Sequence, residues 1–153
     1  SLVECTRDLL DHVAGNGQQL NLETGQESAE HLLEFIADVE RDNLFINFDP
    51  ANLILYGTDH PIDALIKVGH LVRSVHCKDG TYAPVAGRGT DWGAEVPLGE
   101  GDVGMLTYLK VLDSIGYTGP LTIEREIAED RERQKADIGA AVSLLESLRD
   151  QVG

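Results

Sequence analysis

The sequence predicts an α/β fold in which about four strand–helix units build a parallel sheet. Short apolar runs bounded by turn residues alternate with stretches of helical spacing, and this order is typical of parallel sheets. The run 44–48 is apolar at four of its five positions, as expected of a strand buried on both faces. Four of the apolar runs also finish in or near a side chain that can bind a metal ion. We therefore expect one α/β domain over 1–153.

The elements follow in a regular order, one helix and then four strand–helix units. Helical spacing of apolar residues predicts helices over 1–14, 29–39, 61–68, 104–115 and 136–152. Strands are predicted over 20–24, 44–49, 71–78 and 121–126. Asn16-Gly17 and Gly119-Pro120 are stop signals, Ser28 can cap the second helix, and Pro61 suits a first helical turn.

Two segments lack a clear period. Residues 51–58 are expected to form a loop or a short helical turn after Pro50. Residues 79–102 hold six of the 16 glycines and two of the five prolines, and a loop of this length in a compact domain is usually functional or disordered. Its aromatic residues, Tyr82 and Trp92, either cover a sugar face or pack the loop down.

Composition narrows the classes of partner. The formal net charge of -15 repels phosphate backbones, so we do not expect a nucleic-acid partner. No run approaches the length of a membrane span and no signal peptide opens the chain, so we expect no membrane partner. Cys5 and Cys77 show no pairing pattern and are expected to be buried free thiols, which indicates a cytoplasmic protein.

Four metal-capable residues close the predicted strands: Glu23, Asp49, His76 and Glu124. Sites in α/β sheets form beyond the carboxyl ends of the strands, so these side chains are expected to converge. Their mixed oxygen and nitrogen donors suit Mn²⁺, Mg²⁺ or Co²⁺, and Zn²⁺ is compatible. Each residue alone has an ordinary structural explanation, such as a cap, a turn or an ion pair. Their equivalent positions on four strands favour the metal site instead.

Five long segments, in order, resemble a known family: LNLETG, INFDPANLILYG, SVHCKDG, EVPLGEGDVG and GYTGPLTIERE. They are similar to the C-terminal half of the sugar phosphate isomerase/epimerase proteins, which are xylose isomerase-like TIM barrels. The resemblance runs from about Gln19 onward. It implies about four βα units, the C-terminal half of a barrel that needs ~250 residues. Such a half-barrel is expected to pair with a second copy or with the missing N-terminal half.

In ketose 3-epimerases of that family, the matching positions hold the metal, so the resemblance makes Glu23, Asp49, His76 and Glu124 the ligands. It also implies that Glu23 and Glu124 are the catalytic pair. One removes a proton beside a carbonyl and the other returns a proton on the opposite face, while a divalent ion, Mn²⁺ above all, stabilises the charge on oxygen. The implied partner is a small sugar or polyol.

Two alternatives stay open beside the epimerase reaction: a lyase of the inosose dehydratase type, and a catalytically silent metal-binding half-barrel. The endonuclease IV branch of the family is not expected, because it needs three zinc ions and this chain has five histidines. Asn52 stands where epimerases often carry a histidine, and Tyr82 lies near the place of an arginine. Substrate contacts are predicted at Asn52, Lys78, Asp79, Arg88 and Glu126.

Overall fold

A parallel sheet of four strands forms the centre of the molecule. The computed structural model describes residues 1–88, 90–127 and 129–153. Its parallel strands are β1 (Leu20–Glu23), β2 (Leu44–Phe48), β3 (Val72–Cys77) and β6 (Leu121–Ile123). They lie side by side in the order β1-β2-β3-β6. The predicted α/β fold with a parallel sheet is confirmed.

The described residues form six α-helices: α1 (Leu2–Ala14), α2 (Ala29–Val39), α3 (Pro50–Tyr56), α4 (Pro61–Val68), α5 (Met105–Ser114) and α6 (Arg131–Val152). Of the two outcomes expected over 51–58, a loop or a short helical turn, the structure has the helical one, extended to the seven residues of α3, because Asp49 caps the helix and Pro50 occupies its first turn. Helix α6 begins before position 136, since the Asp130 side chain accepts the Arg133 N–H and caps the chain there. No helix among these residues has the length and apolar content needed to cross a bilayer.

One face of the sheet is packed against α2, α4 and α5. Alternating side chains of β2, including Leu44, Ile46 and Phe48, are buried there, as are Val75 and Cys77 of β3. The opposite face carries polar groups, among them Asn21, Asn47, Ser74 and His76. The period of two that separates these faces is the ordinary property of a strand. It places the functional side chains on the face opposite the helix-packed core.

An irregularity in β3 sets which side chains share the polar face. Ile46 pairs with Val72, but the next residue, Asn47, pairs with Ser74, so one extra residue enters β3. After the bulge, Phe48 of β2 pairs with Val75 of β3, and both of these side chains are buried in the core. His76 consequently lies on the same face as Asn47.

The segment 79–102 contains a hairpin that the sequence did not predict. Strands β4 (Asp79–Thr81) and β5 (Ala94–Val96) pair antiparallel, and a short 3₁₀ turn (Val85–Gly87) lies between them. The Gly93 N–H donates to Leu55 O at 2.7 Å, which fixes the hairpin to α3. The segment is therefore folded back over the end of the sheet near α3.

Both cysteines are free thiols. Cys77 is buried as predicted, and burial raises the pKa of its thiol to about 12. Cys5, in contrast, is exposed on α1, so its predicted burial is wrong. The buried side of α1 is formed by Thr6 and Leu10 instead.

Candidate metal centre

The structure brings together the four side chains that the sequence singles out. One ligand atom each from Glu23, Asp49, His76 and Glu124 lies within 4.8 Å of all the others. His76 Nδ1 is central, at 2.8 Å from Glu23 Oε1 and 3.4 Å from Asp49 Oδ2. The same nitrogen lies 3.4 Å from Glu124 Oε2. Three carboxylates therefore surround one imidazole nitrogen.

Asp49 is aimed by the local structure that follows β2. Its Oδ1 accepts the N–H groups of Ala51 and Asn52, at 2.9 and 3.1 Å, and so caps α3. Its Oδ2 is left to face His76. Thr24 braces the residue, because its hydroxyl accepts the Asp49 N–H at 2.7 Å and donates to Asp49 O at 2.8 Å. The fully buried carboxylate is thus held with one oxygen for the backbone and one for the cluster.

His76 is oriented from both sides of the sheet. The Asn47 side chain lies 3.3 Å from Nε2, which leaves Nδ1 pointing at the carboxylates. From the core, the buried Tyr108 hydroxyl donates to the backbone oxygen of His76 at 3.1 Å. A ring fixed through its second nitrogen is the usual arrangement of a metal-binding histidine.

Lys78 places a buried ammonium group beside the cluster. Its Nζ lies 2.9 Å from Glu124 Oε2, 2.8 Å from Glu126 Oε2 and 3.7 Å from Asp49 Oδ2, and its side chain is only 3% exposed. Burial alone would lower the pKa of Lys78, but hydrogen bonds with Glu126 and Glu124 outweigh burial and raise it. Asn52 Oδ1 accepts from the same ammonium at 3.5 Å.

An ion-pair network fixes the segment that carries Glu124 and Glu126. Arg125 donates to Glu95 Oε1 at 2.8 Å and to Asp137 Oδ2 at 2.9 Å, joining β5 to α6. Glu95 Oε1 also accepts the Glu126 N–H at 2.9 Å. Glu95 was missed by sequence reasoning, because its only signal was a carboxylate between alanine and valine in a segment expected to be a loop.

The electrostatics of the cluster reflect an excess of negative charge. Burial and the neighbouring carboxylates of Asp49 and Glu124 raise the pKa of Glu23. The hydrogen bond with Asp49 raises the pKa of His76, and the charges of Glu124 and Glu23 add to this effect. Oxygen donors with one imidazole suit a hard or borderline divalent ion, whose charge would relieve this repulsion. The cluster is therefore a candidate site for a divalent metal ion.

Five further residues were predicted to contact substrate, and the structure separates them into two groups. Asn52, Lys78 and Glu126 lie at the cluster through the contacts of the Lys78 ammonium. Asp79 and Arg88 have other partners. Both carboxylate oxygens of Asp79 accept backbone N–H groups of its own segment. Arg88 is exposed, donates to Ala83 O at 3.2 Å and stacks on the Tyr82 ring at 4.7 Å.

The parallel sheet and a metal-capable cluster beyond the carboxyl ends of its strands define an α/β protein of the TIM-barrel type. Residues 1–148 match the family described as the xylose isomerase-like TIM barrel. The chain belongs to this family.

Solved structures agree with this assignment. A xylose isomerase domain protein from Planctomyces limnophilus is 62% identical, with a TM-score of 0.97 over 99% of this chain and 54% of that chain. A xylose isomerase-like TIM barrel protein from Mycobacterium smegmatis, solved in complex with magnesium, is 26% identical, with a TM-score of 0.75 over 99% of this chain and 50% of that chain.

A D-allulose 3-epimerase from Methylomonas sp. is 20% identical, with a TM-score of 0.70 over 95% of this chain and 54% of that chain. This likeness shows the fold alone. The chain spans about half the length of the solved structures that it matches.

Proposed function

We propose that this chain is the metal-binding half of a sugar or sugar phosphate isomerase/epimerase. The observation that carries the proposal is the convergence of Glu23, Asp49, His76 and Glu124, one from the end of each parallel strand, within 4.8 Å. The family match and the epimerase neighbours of the fold support it. In this proposal the four residues are the metal ligands, and residues 1–153 form one partial barrel domain, the C-terminal half.

The proposed acid/base pair is Glu23 and Glu124. Glu23 is the last residue of β1 and Glu124 directly follows β6, the two outer strands of the sheet, and both reach towards His76 of β3. Carboxylates that approach from opposite sides are what inversion at one carbon requires. The raised pKa of Glu23 favours a group that can both take and return a proton nearer to neutral pH.

The metal we expect is Mn²⁺, with Mg²⁺, Co²⁺ and Zn²⁺ as alternatives. A divalent cation, when bound, would supply stabilisation of the negative charge that develops on substrate oxygen. The donors support hard or borderline ions generally, and the Mycobacterium smegmatis relative was solved with magnesium. Competition between these ions in a binding assay decides the preference.

Substrate contacts are proposed for Asn52, Lys78 and Glu126, the polar groups beside the cluster. Asp79 is left out because both of its oxygens are engaged by backbone N–H groups. Arg88 is left out because its exposed guanidinium is taken up by Ala83 and Tyr82. The substrate class that suits such donors and acceptors is a small sugar or polyol, which would place the chain in carbohydrate metabolism.

A lyase of the inosose dehydratase type is the second candidate. Asn52, at the position where epimerases often carry a histidine, favours a different set of hydroxyl contacts, and it donates to Thr24 O at 3.0 Å. Proton abstraction by the same glutamates would then be followed by loss of water. Product mass separates the two reactions, because an epimer has the mass of its substrate and a dehydration product is one water lighter.

We also propose that the half-barrel acts with a partner, either a second copy or the complementary half. An apolar groove of about 530 Å³ runs along α5, β6 and α6, and Leu121 on the outer strand β6 is 40% exposed beside it. The matched chains are about twice as long as this one. We expect the complex in the cytoplasm, with neither nucleic acid nor membrane as partner. Light scattering of the isolated chain tests the second-copy branch, which a monomer at micromolar concentration would exclude.

The metal site itself is tested by titrating Mn²⁺ into the chain by calorimetry, beside a His76→Ala variant. We expect one ion per chain in the wild type and none in the variant. Binding that the variant retains, with the same stoichiometry, would remove His76 from the site and with it the proposal. Deuterium exchange from solvent into added ketoses then tests the reaction, since a silent half-barrel exchanges nothing.

A further inference from the structure

We propose that Lys78 is a resident counter-ion that holds Glu124 and must release it when a metal ion binds. This inference rests on the proposed metal site and concerns how that site is occupied. The ammonium of Lys78 touches two of the four proposed ligands, at 2.9 Å from Glu124 Oε2 and 3.7 Å from Asp49 Oδ2. A small change in its position therefore changes the charge balance of the whole cluster.

The cluster needs such a cation when no metal is bound. Asp49 is fully buried, and Glu124 and Glu23 lie close to the same nitrogen of His76. Without a compensating cation, carboxylates at this distance repel each other, and burying their charge is unfavourable. The Lys78 side chain, 3% exposed, cannot turn its charge into bulk water without leaving the site. It therefore supplies the positive charge that keeps the four carboxylates, including Glu126, together.

Glu124 Oε2 is the atom for which Lys78 and a metal ion compete. Among the four proposed ligands, Glu124 has the oxygen that lies closest to the ammonium, at 2.9 Å, and the same oxygen lies 3.4 Å from His76 Nδ1. A divalent ion held between Glu124 and His76 would face a second positive charge at short range, and the two repel strongly in a buried site. Lys78 has to move its ammonium away from this oxygen as binding proceeds.

The structure provides the acceptors to which Lys78 can turn. Glu126 Oε2 already accepts from the ammonium at 2.8 Å, and Glu95 Oε2 lies 4.0 Å away. The other oxygen of Glu95 is occupied by Arg125 and by the Glu126 N–H, which leaves Oε2 on the side of Lys78. The ammonium can thus move away from Glu124 and still pair with two other carboxylates, those of Glu126 and of the hairpin residue Glu95.

The two possible roles of Lys78 predict opposite effects of its removal on the affinity for Mn²⁺. If Lys78 only supported its neighbours mechanically, its loss would loosen the ligands and weaken metal binding. If it is a competing cation, its loss leaves Glu124 and Asp49 uncompensated, and binding of Mn²⁺ becomes tighter. Lys78→Met keeps most of the apolar stem and removes the charge, so we expect an affinity gain of about tenfold or more.

The experiment is a calorimetric titration of Mn²⁺ into the full chain as wild type and Lys78→Met, with thermal unfolding of each with and without Mn²⁺. The variant should melt lower without metal, bind Mn²⁺ more tightly, and gain more in Tm from the metal than the wild type does. Equal or weaker binding by a folded variant overturns the inference. A wild type that binds no Mn²⁺ overturns the proposed metal site itself, so the two failures are distinguishable.

A second variant keeps the test informative if Lys78→Met does not fold. Glu126 is 67% exposed, so Glu126→Gln leaves the core intact while removing one acceptor of Lys78. Lys78 then holds Glu124 more firmly, and Mn²⁺ binding should weaken about threefold or more. Glu132→Gln removes the same charge from an 87% exposed side chain that pairs with Lys135, and should leave the affinity unchanged. If the two glutamine variants behave alike, Lys78 does not compete with the metal.

Discussion

Asp49 and Asp79 lie in similar places in the chain, but their carboxylates have different hydrogen-bond partners. Each follows a parallel strand, and each is almost completely buried. Asp49 gives one oxygen to backbone N–H groups and turns the other to His76. Asp79 gives both oxygens to the backbone, accepting from Gly80, Gly99, Gly101 and Val103. What distinguishes a candidate ligand from a structural anchor is whether both carboxylate oxygens already accept backbone hydrogen bonds, and not the position of the residue after a strand.

The largest expected effect is on stability, from Asp79→Ala. The substitution leaves the N–H groups that the carboxylate accepted without a partner where water does not reach easily, and it frees residues 99–103 from β4. We expect a loss of about 4 kcal/mol in the free energy of unfolding, measured by urea denaturation. A change below about 1 kcal/mol would show that Asp79 is not the anchor of the hairpin segment.

The counterpart is Asp49→Asn, which should act on metal binding. Asparagine still caps α3, so the stability without metal should change little. The cluster, however, loses a charged ligand, and the affinity for Mn²⁺ should fall about a hundredfold or more. Calorimetry measures the affinity and thermal unfolding checks the fold. Unchanged binding would break the comparison, because Asp49 would then be only a cap.

A glycine tests how tightly the Asp79 anchor is packed. A Cβ on Gly101 would lie 2.1 Å from Asp79 Oδ1 and 2.5 Å from Gly80 O, so Gly101→Ala should destabilise the chain by about 2 kcal/mol. Gly139→Ala is the matched control, since nothing lies within 4 Å of its Cβ and it stands inside α6. It should stabilise by about 0.5 kcal/mol in the same urea assay. Equal effects at both sites would mean that the segment around Gly101 shifts to accommodate the added methyl group without loss of stability.

The smallest expected effect is a pH dependence of the cluster. The pKa of His76 is raised in the fold, so the stability it adds as a cation is full below its unfolded pKa and is lost as pH rises through the folded value. A metal ion needs the unprotonated nitrogen, and the pKa of Glu23 is raised as well. The Tm increase caused by Mn²⁺ should therefore grow with pH above about 6.5. A Tm increase that falls over this range would contradict the proposed ligands.

The cluster was predictable from the sequence because its signal is local and repeated. Each of Glu23, Asp49, His76 and Glu124 stands at the end of a short apolar run, and the carboxyl ends of parallel strands meet at one edge. Apolar spacing predicted five of the six described helices in the same way, all except α3, whose segment was expected to form a loop or a short helical turn. Boundaries moved where side chains cap the backbone, as at Asp130 and Asp49.

The segment 79–102 was not predictable for the opposite reason. Its hairpin is held by contacts between residues far apart in the chain, such as Asp79 with Gly99 and Gly93 with Leu55. Glu95 acquires its role only when Arg125 and the Glu126 N–H reach it from beyond β6. The bulge in β3 is likewise a property of pairing with β2 and leaves no periodic trace in one strand.

The most direct test of the metal site is a crystal structure of the chain grown with Mn²⁺, with data collected at the manganese absorption edge. We predict one anomalous peak per chain, within bonding distance of Glu23, Asp49, His76 and Glu124, with the Lys78 ammonium turned towards Glu126 and Glu95. Absence of a peak at these residues, at a Mn²⁺ concentration that saturates binding in solution, would contradict the account.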